Sequence, residues 1–133
     1  MKEYQLEDKK IVLKIDVDGA EFLVFNDPNI YTQLDNVVQL IIEFHDLDQK
    51  IEEVHTIIKK IAATHTLIHI HGNNYGDPFE YKGKKIPKVI EATFIHNSFL
   101  PPNVMLSDQN YPIANLDSPC DKSKRDIEHD FFK

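Results

Sequence analysis

Acidic and imidazole side chains recur in pairs at three places along this 133-residue chain. Asp16 and Asp18 follow the run Ile11-Val-Leu-Lys-Ile. Glu43 and His45 close Val37-Val-Gln-Leu-Ile-Ile-Glu-Phe-His. His69 and His71 close Thr66-Leu-Ile-His-Ile-His, with Asn73 and Asn74 just beyond. Members of a pair are two residues apart, so in a strand they leave the same face. Carboxylates beside imidazoles can ligate a divalent cation, for which Asp16, Glu43, His45 and His71 are the candidates, with the identity of any metal left open. A calcium loop of the EF-hand type is excluded, because the element before Asp16 is a strand and the closing glutamate is missing.

The elements that carry these residues follow from hydrophobic patterning. Ile11 to Val17 and Val37 to Phe44 are β-branched and apolar almost throughout, as strands covered on both faces are. Gly19-Ala-Glu-Phe-Leu-Val-Phe shifts to a short helical pattern that breaks at Asn26-Asp-Pro. Ile51, Val54, Ile57, Ile58 and Ile61 share one face of a helix from about Asp48 to Ala63, with Asp46 or Asp48 placed to cap its start. Thr66 to His71 is a third strand and Val89 to Ile95 a fourth, the latter alternating well enough to be antiparallel. Pro78 to Pro87 reads as a loop or hairpin with Gly83 at its tip. Beyond Pro101 the chain is rich in Pro, Asn, Asp and Ser, the composition of an extended tail. Alternating strands and helices predict an α/β fold in three layers with a largely parallel sheet. In such sheets ligands bind at the carboxyl ends of the strands, where all three polar pairs fall.

Plainer roles compete at each position. Asp18 before Gly19 suits a helix cap, and Glu21 an ordinary first-turn acid favoured by the helix dipole. His69, inside an apolar strand, reads as a hydrogen-bonded core histidine; His55, His65, His96 and His129 read as surface or loop residues. Asn73-Asn74 suits a left-handed turn as well as a substrate clamp. Cys120 is the single cysteine, so an internal disulfide is excluded; with no partner base in view it reads as a tail residue. The net charge is −7 and the fifteen Lys and Arg are scattered, which argues against nucleic acid. No apolar run reaches the roughly 18–20 residues of a membrane span, and the first residues do not read as a signal peptide, so a cytoplasmic location is expected.

Leu13-Lys-Ile-Asp-Val-Asp-Gly-Ala-Glu-Phe followed by Ile41-Ile-Glu-Phe-His resembles the FkbM family of S-adenosylmethionine-dependent methyltransferases. There a strand ending K-I-D-x-E-G-x-E precedes one ending in E or E-x-H. Ile68-His-Ile-His-Gly-Asn-Asn-Tyr-Gly and Pro87-Lys-Val-Ile-Glu-Ala-Thr-Phe-Ile are similar to later segments of some members. The resemblance covers about Ile11 to Phe99, with Asp18 standing where glutamate is usual. It implies a partial Rossmann-like methyltransferase sheet of four mixed strands in the order 4-5-7-6, the last in sequence antiparallel, flanked by helices. Residues 1–100 would form this half-domain and 101–133 the tail. Asp16, Asp18 and His45 would be catalytic, one of them helping to deprotonate an acceptor hydroxyl. Glu21, Glu43, His71, Asn73 and Asn74 would meet the substrate. The Asp-x-Asp motif is also similar to that of many glycosyltransferases, so a metal-dependent fragment of that kind is an alternative.

The family binds S-adenosylmethionine through a glycine-rich turn after its first strand. None of Gly19, Gly72, Gly76 and Gly83 belongs to such a turn. The expectation is therefore the carboxyl-terminal half of a methyltransferase, truncated or split and inactive alone. A non-catalytic dimeric module that binds a small polar ligand or metal at the strand ends is the alternative. The strand Ile11–Val17, central in the complete fold, would lie at an edge. Its cover would be the first ten residues, the tail, a second copy in a homodimer, or a separate amino-terminal half.

Overall fold

The structure, a computed structural model, describes residues 9–129. Two sheets organise it. The larger contains β1 (Ile11–Ile15), β2 (Val37–Phe44), β3 (His65–Gly72) and β6 (Ile90–His96), ordered β1-β2-β6-β3. β1 and β2 are parallel, and β6 runs antiparallel to both β2 and β3. The Pro78–Pro87 stretch forms a separate two-stranded hairpin of β4 (Phe79–Tyr81) and β5 (Lys84–Ile86). Its turn holds Lys82 and Gly83 at φ 50° and 77°, the paired positive values of a type I′ hairpin turn.

The α-helices are α1 (Glu21–Asn26), α2 (Asn29–Gln33) and α3 (Leu47–Ile61), with short 3-10 turns at Leu34–Asn36 and Asn97–Phe99. Their apolar side chains join one cluster on one face of the large sheet. That face is set by register: Leu13, Leu40, Phe94 and Leu67 form one cross-strand row, and Ile15, Ile42, Ala92 and Ile70 the next. Phe22 and Phe25 of α1 sit 6.5 and 6.4 Å from the Phe44 ring, while Val54, Ile57 and Ile61 of α3 are buried in the same core.

The opposite face carries no α-helix among the described residues. Val12, Lys14, Gln39, Ile41, Thr93 and Ile95 lie there, half-buried or exposed. This corrects the expectation of strands covered on both faces with helices flanking the sheet. The described residues form one α-helical layer, and the alternation inside β1 shows it: Ile11, Leu13 and Ile15 turn toward the core, Val12 and Lys14 away.

The tail covers part of the helix-free face. Among its described residues it contains no strand beyond a single bridge between Tyr111 and His129, yet it is firmly docked on the β3 side. Asp117 meets His69 at 2.7 Å and Asp126 meets His71 at 2.9 Å. The Asn74 amide donates to the carbonyls of Asp121 and Arg125 and accepts the Asp121 N–H. The tail thus packs beside β3 and not along β1; residues 1–8, the other expected cover for β1, lie outside the described residues. No helix among the described residues is long and apolar enough to cross a membrane.

Two histidines read as surface or loop residues are buried. His65 lies in the core, its Nε2 2.7 Å from the Val37 carbonyl and its Nδ1 2.8 Å from the Thr64 hydroxyl. His129 stacks on Tyr111 with ring centroids 5.2 Å apart. His69 is hydrogen-bonded as expected, but on the half-buried face and not in the core. Burial disfavours the charged imidazole, so it holds both His65 and His129 below the usual histidine range, the latter at about 4.

Two outcomes follow. Phe44→Ala leaves a cavity among Phe22, Phe25 and α3 and costs about 3–5 kcal/mol in chemical denaturation. Because the unfolded chain takes up a proton at residue 129 near pH 6.5 and the folded chain resists it, this residue's contribution to stability falls as pH drops from about 6.5 toward 4. The stability difference between the native protein and His129→Phe should shift across that window and stay flat above it; a flat difference throughout would show that His129 is charged in place.

Candidate functional site

Two of the three polar pairs converge where β1 and β2 end. After Ile15 the chain turns through Asp18 at φ 49° and Gly19 at φ 94°. This left-handed excursion swings Asp18 outward, so it does not cap α1; Ala20 stands at the cap position and its side chain makes no capping bond. Asp46 likewise sits at φ 54° and makes no side-chain capping bond to α3. Both aspartates are thereby released toward the cleft between the strand ends.

Beneath them lies Glu21, fully buried at 0 % exposure. Its carboxylate accepts the Gly19 N–H at 2.9 Å and the His45 N–H at 2.6 Å, and His45 Nδ1 lies 3.1 Å away. A carboxylate offers acceptors, so the ring nitrogen facing it is the donor. In the neutral imidazole the proton then sits on Nδ1 and the lone pair on Nε2. Nε2 faces the cleft, 3.8 Å from an Asp18 oxygen and 3.8 Å from a Glu43 oxygen. Asp16, Asp18 and His45 place donor atoms within 4.8 Å of one another. Asn73 donates to Glu43 at 3.3 Å. Burial is the main cause that pushes the Glu43 carboxyl above its ordinary value; the Asn73 bond opposes it and the charge on Asp16 adds to it.

These groups line a cleft of about 630 Å³. Sequence patterning did not single out Gln49, Tyr75 and Lys88, which line it too, and it assigned Asp46 and Asp48 to capping. Five carboxylates (Asp16, Asp18, Glu43, Asp46 and Asp48) face one ammonium, Lys88, which is itself 3.4 Å from Asp48. The cleft therefore favours ligands that are cationic or rich in hydroxyl donors and repels anions.

Asp16, Asp18, Glu43, His45 and Asn73 are thus brought together, with Glu21 supporting them. His71 and Asn74 are not: they hold the tail, away from the cleft. Neither Asn73 nor Asn74 has positive φ, so the left-handed turn is absent there; Asn73 instead accepts the Tyr75 N–H with its side-chain oxygen. The Cys120 residue is exposed, but partial shielding of its sulfur, with the charges of Glu43 and Asp126, raises its thiol above the ordinary range, which opposes a nucleophilic role. No protein-family model, no curated protein and no solved structure matches this chain.

Removing the Glu21 carboxylate strands two backbone N–H groups and the imidazole. Glu21→Ala should cost about 1–3 kcal/mol and free the His45 ring, while Glu21→Gln, which keeps an acceptor, loses less. Denaturant midpoints and the His45 ring resonances read both effects. A Glu21→Ala protein as stable as the native one would show that the carboxylate is not the keystone of this turn.

Proposed function

We propose that this chain is the acceptor-binding half of an FkbM-like O-methyltransferase and transfers no methyl group by itself. The observation that carries the reading is the Glu21–His45 pair, which turns a lone pair of His45 Nε2 into a polar cleft at two strand ends. The arrangement of β6, antiparallel between β2 and β3, and the resemblance over Ile11 to Phe99 support it.

In this reading an acceptor hydroxyl enters the cleft and donates to His45 Nε2. Asp16, Glu43 and Asn73 bind its neighbouring hydroxyls. His45 removes the proton as a general base, and the imidazolium that forms is stabilised by Glu21 on one side and by Asp18 and Glu43 on the other. Hydroxyl-rich acceptors such as sugars fit the donor-seeking rim. The residues present do not fit S-adenosylmethionine. No glycine-rich turn leads into α1 or α3 to cradle the cofactor. The methyl group would have to come from a cofactor-binding half that these residues do not supply.

A second reading has its own observation: the donor atoms of Asp16, Asp18 and His45, within 4.8 Å of one another, suit a divalent cation held by a non-catalytic module.

Titrating the isotopically labelled chain with a methyl glycoside, with magnesium or manganese, and with S-adenosylmethionine separates these readings. The glycoside should shift His45 and Asn73 resonances, and His45→Ala should abolish that response. S-adenosylmethionine should give no heat by calorimetry; tight binding of it to this chain would refute the incomplete-site reading. A response to the metal alone, with none to the glycoside, selects the cation module.

A further inference from the structure

β1 pairs with β2 along one side, and among the described residues its other side pairs with nothing. An open edge on an apolar strand invites a second strand. We propose that the occupant is a second copy of this chain, with the two β1 strands antiparallel about a two-fold axis at Leu13. This goes beyond the methyltransferase reading and does not depend on it.

Symmetry and charge select the register. A two-fold axis normal to the sheet keeps each side chain on its own face, so opposed residues must belong to the same alternating set. Three registers then overlap three or more residues of the strand, centred on Val12, Leu13 or Lys14. Centring on Val12 opposes Lys10 with the other copy's Lys14, and centring on Lys14 opposes that residue with itself. Both place like charges face to face, which destabilises a cross-strand pair. Centring on Leu13 opposes Ile11 with Ile15 on the core face. On the other face it sets Val12, 65 % exposed in the single chain, against the aliphatic stem of Lys14. It also opposes Lys10 with Asp16, twice by symmetry. The burial pattern places these residues on the correct sides: Lys10, Val12, Lys14 and Asp16 are exposed, while Ile11, Leu13 and Ile15 turn inward.

The pairing reaches the cleft. Asp16 is one of its lining carboxylates, so each copy would supply the other's rim with the Lys10 ammonium. In the single chain that ammonium rests 4.8 Å over the Phe99 ring and must swing away to reach it. The joined sheets would form one eight-stranded layer, with the helices of both copies on the same side.

The test combines mass with cross-linking, in the full chain with Cys120→Ser. Sedimentation should give a dimer. Leu13→Cys should form an intermolecular disulfide on mild oxidation, because directly opposed residues stand within bonding range, whereas Val12→Cys and Lys14→Cys should not. Lys10→Glu should weaken association about tenfold, and adding Asp16→Lys should restore it. A monomeric mass across a concentration series overturns the proposal and leaves the edge to residues 1–8 or to a different protein. Cross-linking at Val12 or Lys14, or a dimer indifferent to both charge changes, also overturns it.

Discussion

One buried carboxylate ties the functional end of this molecule together. Glu21 is cut off from water yet fully engaged, by the Gly19 N–H on one side and by the backbone and ring of His45 on the other. An uncompensated charge at this depth would be costly, so the turn after β1 and the exit from β2 must keep their donors aimed at it. That constraint explains the left-handed backbone at Asp18 and Gly19: the chain has to fold back sharply for the Gly19 N–H to reach the first residue of α1. It also sets the direction of the His45 ring, and through it the chemistry open to the cleft.

The second organising fact is the asymmetry of the sheet. All described α-helices share one face, and on the other the tail, which among its described residues has no helix and no strand beyond one bridge, covers the β3 side. Polar latches, His69 to Asp117 and His71 to Asp126, take the place of an apolar helix face there. The β1 side of that face keeps Val12 and Lys14 exposed, Lys14 reaching across to Glu91 at 3.0 Å. The sheet is therefore well covered at one end and bare at the other, and its open edge and its cleft adjoin each other.

Patterns that live within a few residues were legible from the amino-acid order. β2, α3, β6 and the hairpin around Gly83 stand near their expected positions, because periodicity and turn chemistry are local. The rim was legible for the same reason, since strand ends could be placed and Asp16, Asp18, Glu43 and His45 stood at them. The role of Glu21 was not, because its partner lies 24 residues away and nothing nearby distinguishes it from an ordinary first-turn acid. The one-sided burial of β1 was masked by Val12, an apolar residue on the exposed face. His65 and His129 looked like surface residues because their burial depends on contacts with Val37 and Tyr111 that leave no local trace.

The docked tail also bears on the order in which the chain assembles. Its latches close loops of 48 and 55 residues onto β3, and closing such loops costs entropy that only a formed sheet can offset. The segment from Tyr111 to His129, held mainly by polar contacts at the rim of the core, should therefore dock onto a sheet already formed and exchange its amide protons with water sooner than the core strands do. Its detachment would bare the β3 end of the sheet while the Glu21 turn and the cleft stayed intact, so the molecule has two tiers of stability joined at Asn73 and Asn74.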